Sequence, residues 1–180
     1  MWISDQWQDF ELIDCSGGEK LERWGSYTVV RPDPQAIWQT PRNRNEWNRQ
    51  GGHYKRSSTG GGKWDRGNLP SDWTIGYKDL TFQVKPMNFK HMGLFPEQAT
   101  NWDWAMEQIR NAGREISVLN LFAYTGAATM AAAGAGAKEV VHLDASKGIN
   151  EWAKENMKLS GLEDKTIRFI VDDALKFTAR

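Results

Sequence analysis

The chain has 180 residues, enough for one ordinary domain or one domain with a small appendage, and its formal net charge is zero. No global field therefore draws it to nucleic acid or membrane, and its one cysteine, Cys15, excludes an internal disulfide and a multi-cysteine zinc site. No apolar run approaches the roughly 18 residues of a membrane span, and the acidic, interrupted start WISDQWQDFELID is not a signal peptide; the expectation is a reduced, cytoplasmic protein.

Ten tryptophans are unusual at this length, and most precede Trp104, so the two halves are not built alike. In the first half, FELIDC (10–15) and SYTVV (26–30) alternate like short strands. A glycine pair and an ERWG turn separate them, which predicts hairpins. RPDP then breaks the pattern with two prolines. From Arg42 to Arg66 the chain is polar and rich in Gly, Asn and Arg, with seven Lys/Arg against two acids, a local charge of +5. With so little periodicity it reads as a long loop or loosely ordered arm. WTIGYKDLTFQVKP (73–86) returns to strand-like alternation, and a helix follows, with Thr100 or Asn101 as N-cap and Gly113 as its stop.

The second half changes character. EISVLNLFAY (115–124) is a near-continuous apolar run, as in a buried parallel strand. Gly126 turns the chain into AATMAAAGAGA, a helix of small residues able to lie close to a sheet. KEVVHLD is the next strand. SKGINEWAKENMKLSG then places Ile149, Trp152, Ala153, Met157 and Leu159 at helical spacing and stops at Gly161, before the third strand, TIRFIVDD (166–173). Strands alternating with helices imply βαβ units and a parallel sheet. The predicted fold is thus α/β: residues 1–90 form a small β-rich lobe with a basic Gly/Arg/Trp-rich loop near 38–70. Residues 91–180 form the first half, about three strands, of a Rossmann-like sheet. An open sheet edge is an aggregation liability, which predicts a homodimer or a missing C-terminal half that covers it.

That layout holds adenosine-containing cofactors. A nicotinamide site would show G-x-G-x-x-G, because a pyrophosphate must approach the backbone closely. Here the turn is Ala123-Tyr124-Thr125-Gly126, with one glycine, which suits a cofactor without a pyrophosphate, such as S-adenosylmethionine. Asp144, followed by Ala145 and Ser146, ends the second strand, where a carboxylate can accept both ribose hydroxyls of either cofactor. Asp172, Asp173 and Ala174 end the third, where an acid can accept the exocyclic amine of adenine. The plainer reading of Asp172 and Asp173 is an acidic cap on the following turn.

On these residues, from VLNLFAYTG through HLDAS and WAKEN to RFIVDDALKF, the chain resembles the core of class I S-adenosylmethionine-dependent methyltransferases. Within them it is similar to the large-subunit ribosomal RNA methyltransferase I family, which makes 5-methylcytosine. The matching motifs are Leu121–Gly126, Asp144–Ser146, Lys154–Asn156 and, ahead of the core, GLFPEQ at 93–98. The resemblance covers the chain from about Lys90 onward and makes Phe95 and Gln98 candidate cofactor contacts. Glu97 and Ala99 depart from the aspartate and arginine of that segment. The resemblance also implies a D-P-P-like motif after a fourth strand and a later nucleophilic cysteine; neither occurs here, so the catalytic residues stay unassigned and the chain reads as an N-terminal portion.

The basic, aromatic-interleaved arm (Trp38, Arg42, Arg44, Trp47, Arg49, Tyr54, Lys55, Arg56, Lys63, Trp64, Arg66) could contact RNA, its cations on phosphates and its rings on unpaired bases. The alternative is that the tryptophans anchor the lobe and the charges are solvated. His53, His91 and His142 lack metal-ligand spacing, and His142, inside a strand, reads as a hydrogen-bonded core residue. Cys15 reads as a structural thiol. The functional expectation is methyl transfer to a ribosomal RNA base; the alternatives are a cofactor-binding module without turnover and a methyltransferase for a substrate other than nucleic acid.

Overall fold

In the computed structural model, which describes residues 2–58 and 60–180, the chain forms two compact units. The smaller comprises Trp7–Tyr77 and Val84–Gly93. The larger comprises Lys78–Gln83 and Leu94–Arg180, with the N-terminal residues up to Gln6. No helix among the described residues is long and apolar enough to cross a membrane.

The smaller unit is built on a five-stranded sheet, with strands in chain order: β1 (Phe10–Ser16), β2 (Glu19–Trp24), β3 (Tyr27–Pro32), β4 (Gly52–Arg56) and β5 (Gly62–Asp65). Neighbours are antiparallel except β3 and β4, which run parallel. Gly17 and Gly18, both at positive φ (60° and 78°), form the two-residue turn between β1 and β2, the backbone geometry that matches the twist of paired strands. The segment expected to be a turn, ERWG, instead supplies the end of β2: Leu21 and Trp24 are fully buried, and the reversal is displaced to Gly25.

The expected loop at 42–66 is likewise mostly ordered structure. It contains a short helix, α1 (Arg44–Trp47), and both β4 and β5. Hydrophobic burial outweighs its polar composition: Trp47 packs with Leu21, Val30 and Ile13, and Tyr54 is buried and meets Trp64 edge-on. A further strand, β6 (Trp73–Tyr77), buries Ile75 and Tyr77, and Trp7 packs on Tyr77 and Phe10. Trp24 and Trp47 thus serve as core and Trp7, Trp64 and Trp73 are half-buried, whereas Trp38 is exposed. Cys15 is half-buried on β1.

Inside this unit lies a buried ion pair. Glu22 accepts two hydrogen bonds from the Arg31 guanidinium, at 2.6 and 2.8 Å, and a third from the Trp24 indole. Burial raises the Glu22 pKa, but the charges and bonds of Arg31 and, secondarily, Lys20 together outweigh it and hold the carboxyl below its ordinary range.

The larger unit carries a parallel sheet of three strands in the order β10-β9-β8: β8 (Ser117–Leu121), β9 (Glu139–Asp144) and β10 (Ile167–Val171). β9 is central and buries Val140, His142 and Leu143, whereas Leu119 of β8 and Val171 of β10 are half exposed. Helices α3 (Ala127–Gly134) and α4 (Lys147–Leu159) connect the strands, and a short α5 (Ala174–Thr178) follows the last. Ala131, Ala132 and Ala133 of α3 are buried, as small side chains allow. The helix after the GLFPEQ segment, α2 (Ala99–Asn111), begins earlier than the expected cap at Thr100 or Asn101. Pro96 opens a 3₁₀ turn over Pro96–Gln98 that runs straight into it, since a proline suits the first turn of a helix. Gly113 (φ 64°) and Gly161 (φ 64°) follow α2 and α4 as expected.

The 73–86 alternation yields β6 and a second strand, β7 (Leu80–Val84). Residues Thr81 and Gln83 of β7 are held to α4 by side chains that act as a ladder partner. Ser160 Oγ accepts from Thr81 N and donates to Thr81 O, Asn156 Oδ1 accepts from Gln83 N, and Trp152 Nε1 donates to Gln83 O. Backbone groups that would otherwise be orphaned are satisfied there.

Candidate cofactor site

The site begins where β8 ends. Phe122, Tyr124 and Gly126 all have left-handed backbone, at φ 53°, 51° and 87°, alternating with Ala123 and Thr125. Two non-glycine residues so placed in one turn are a local strain that surrounding contacts must hold. Three sets of bonds do so. Ala123 N donates to Leu143 O of β9. Tyr124 N donates to Asp144 Oδ2 at 3.0 Å. The carbonyl of Thr125, a residue only 1% exposed, accepts from Asn156 Nδ2 at 2.8 Å.

Gly126 is required twice over. Its φ disfavours any other residue, and an added Cβ would stand 3.1 Å from both Ala153 Cβ and Met130 Cε. α3 starts immediately after it with no side-chain cap, so its first N–H groups are open to an anionic group such as a carboxylate.

This turn forms one wall of a cleft of about 490 Å³, within the usual range for small-molecule sites. Ala123, Tyr124, Thr125 and Gly126 line it from the turn, with Asn120 and Phe122 beside them; Leu94, Phe95, Gln98 and Trp102 line it from the segment ahead of the core. The Phe95 and Tyr124 rings pack with centroids 5.3 Å apart.

At the end of β9, Asp144 Oδ1 accepts from Ser146 N and Oδ2 from Tyr124 N, leaving a second lone pair on each oxygen for further donors. Asn150 Nδ2 donates to Asp144 O, and Ser146 caps α4 by accepting from Ile149 N. Ala145 lies between them, at the same strand end. The strand ends are in register, Asp144 opposite Val171, so Asp172, Asp173 and Ala174 follow at the same rim. Asp173 caps α5, accepting from Lys176 N, as the plainer reading of the sequence has it. Asp172 accepts from Asp173 N and pairs with Arg180 at 3.0 Å.

Sequence reasoning passed over Asn120, Phe122 and Trp102 as lining residues, and the partners of the hydrogen-bonded core histidine it expected at His142. Asn120 Nδ2 donates to Thr129 Oγ1, which meets His142 Nδ1 at 2.9 Å. His142 is fully buried, its Nε2 has no partner, and burial pushes its pKa down to about 4, against a smaller opposing pull from Asp144. The signals were present: Asn120 interrupts an apolar strand, and Asn156 falls three and four residues after Ala153 and Trp152, on the buried face of α4.

The basic arm divides into two sets. Arg42 is spent on Glu19, Ser16 O and the Trp47 ring, Lys55 pairs with Asp65, and Arg66 donates to Pro86 O. The side chains of Arg44, Arg49, Arg56 and Lys63 have no hydrogen-bond or ion-pair partner among the described residues.

A parallel sheet with an acid at the end of its second strand and a single-glycine turn at the end of its first defines a nucleoside-cofactor fold of the methyl-transfer type. The chain belongs to the S-adenosylmethionine-dependent methyltransferase family, whose model matches residues 34–179. A crystal structure of the S-adenosylmethionine-dependent methyltransferase from Agrobacterium tumefaciens superposes with a TM-score of 0.91 at 41% identity, covering 97% of this chain and 56% of that one. The Shewanella loihica protein named ribosomal RNA large subunit methyltransferase K/L is 46% identical over 96 residues, 53% of this chain and 13% of that protein. The Pyrococcus abyssi tRNA (uracil-54, C5)-methyltransferase, solved with S-adenosyl-L-homocysteine, shares the fold at 14% identity and a TM-score of 0.50 over 88% of this chain and 40% of that one. The matched parts span 8–14% of the length of the curated relatives.

Proposed function

We propose that the cleft beside the Tyr124–Gly126 turn holds S-adenosylmethionine and that the protein transfers its methyl group to a base of ribosomal RNA. The observation that carries this reading is the bond from Tyr124 N to Asp144 Oδ2, which fixes the ribose-accepting carboxylate against the single-glycine turn. The free lone pairs of Asp144 would accept the ribose hydroxyls, and Ala145 and Ser146 would shape the turn behind them. The open start of α3 would receive the carboxylate of the methionine part. Phe95, Gln98 and Tyr124 would wall the cleft, and Asp172 or Asp173, with Ala174, which follow β10 at the rim outside that lining, would face the adenine from there.

The sulfonium of the cofactor supplies an already activated methyl group, so the chain's own work is positioning and exclusion of water. No residue of the chain is assigned as catalytic base or nucleophile. Ribosomal RNA as acceptor rests on the relatives' names and on the unpaired cations of the small unit. A second copy, or further chain, over one sheet edge would cover Leu119 on β8 or Val171 on β10, which lie on opposite edges. Transfer of a radiolabelled methyl group to ribosomal RNA by the full-length protein tests the reading. Label on protein or small molecules and none on RNA would replace the acceptor, and cofactor binding with no transfer at all would leave a binding module.

A further inference from the structure

The small unit has a second cleft, of about 430 Å³, unrelated to the cofactor turn and lined by Tyr54, Arg56, Phe89, Lys90 and His91. Its charges do not balance. Arg56 and Lys90 line it with no carboxylate between them; Lys20 and Arg31, the other cations felt by Lys90, lie outside the lining and are paired with Glu22 and, for Lys20, Asp33. Arg56 has no hydrogen bond or ion pair among the described residues, and the Lys90 ammonium has only the carbonyl of Pro32, at 3.3 Å. Partial burial, then repulsion from Lys20, holds Lys90 below its ordinary pKa, against an opposing pull from Asp33.

Beside these cations stands an aromatic ring that the core does not use. Phe89 is 51% exposed, yet its backbone is anchored, because Trp64 Nε1 donates to Phe89 O and Trp64 packs against Tyr54. Its ring also meets His91 edge-on. A fixed, exposed ring next to unpaired cations is how proteins take single-stranded nucleic acid, with rings on bases and cations on phosphates.

We infer that this cleft binds single-stranded RNA, with Arg56 and Lys90 on successive phosphates and the Phe89 ring stacked on an unpaired base. The inference rests on the RNA reading above and locates it: of the seven basic residues in the arm, Arg56 acts here, with Phe89 and Lys90 from outside the arm. Arg42 and Lys55, already paired, contribute little.

The test is fluorescence anisotropy with a short labelled oligouridylate and a duplex RNA of equal length, using the whole chain. Arg56→Gln with Lys90→Gln should weaken oligouridylate binding at least about tenfold and reduce the salt slope by about 1.4, as expected for two lost phosphate contacts on a single strand. Phe89→Ala should weaken the single strand roughly tenfold and leave the duplex almost unaffected. Binding of S-adenosylhomocysteine should be unchanged in both variants. Oligouridylate binding that survives the double substitution overturns the cleft assignment while leaving an RNA substrate intact. A wild-type chain that binds no RNA overturns both. Equal loss of single strand and duplex on Phe89→Ala overturns the stacking role.

Discussion

Asn156 of α4 donates to the carbonyl of Thr125 at 2.8 Å, and its Oδ1 accepts from Gln83 N at 2.8 Å. One buried side chain thus ties the cofactor turn to β7, and its amide is used at both ends. Asn156→Asp keeps the shape but loses the donor, and sets a carboxylate against the Thr125 carbonyl. It should cost roughly 2–3 kcal/mol of stability and weaken S-adenosylhomocysteine binding more than Asn156→Gln does. Equal cofactor affinity in the two variants, measured by calorimetry, would show that the turn is held by other means.

Gly126→Ala tests the turn itself. A left-handed Cβ costs about 1–2 kcal/mol, and the contacts with Ala153 and Met130 add to it. Adding Ala153→Gly removes one of the two 3.1 Å contacts but leaves the one with Met130 and the backbone strain, so the double variant should recover only part of the lost stability. Complete recovery in a denaturant titration would assign the requirement for glycine to packing alone.

Arg31→Leu leaves Glu22 buried beside Trp24 without its two guanidinium hydrogen bonds and with Lys20, at 3.1 Å, as its remaining counterion, a change that should destabilise the chain by roughly 3 kcal/mol. The pH dependence follows in sign. With Arg31 present the Glu22 pKa is depressed, so its contribution is full above the unfolded value and is lost as pH falls through the folded one. Without Arg31, burial raises the Glu22 pKa, and acid should narrow the gap between variant and wild type as the carboxyl takes up a proton. A gap that stays constant from neutral to acid pH would contradict the account.

His142, lowered from 6.5 to about 4, is neutral in the folded chain. Between those values the unfolded chain binds more protons, so stability is full above pH 6.5 and falls as pH drops toward 4, by up to about 3 kcal/mol. A two-dimensional NMR titration should show the His142 ring unprotonated at pH 5.5 (about one unit below the ordinary histidine value). A midpoint near 6.5 would remove this contribution.

The second half of the chain was legible because its elements are single-signal: apolar runs for β8 to β10, small residues for α3, and glycines after α2, α3 and α4. Gly126 and Asp144 could be found from their places at strand ends. Of the supporting layer only His142 was legible, as a hydrogen-bonded core residue inside a strand. Its partners and those of Asn156 were not, because Asn120, Thr129, His142 and Asn156 lie far apart in sequence and only the packing of α3 and α4 on the sheet brings their polar groups together. The small unit was misread between 42 and 66 because β4 and β5 each bury few apolar residues, Tyr54 foremost, amid charges that point to solvent. ERWG looked like a turn for a related reason: Glu22 is polar in sequence but buried through Arg31, a partner nine residues away.

The central claim is that the Tyr124–Gly126 turn and Asp144 hold S-adenosylmethionine, and calorimetric titration of the chain with S-adenosylhomocysteine and, separately, NAD tests it most directly. The account predicts saturable, one-site binding of S-adenosylhomocysteine that Asp144→Ala weakens strongly, with no heat from NAD. Micromolar binding of NAD without binding of S-adenosylhomocysteine would contradict it.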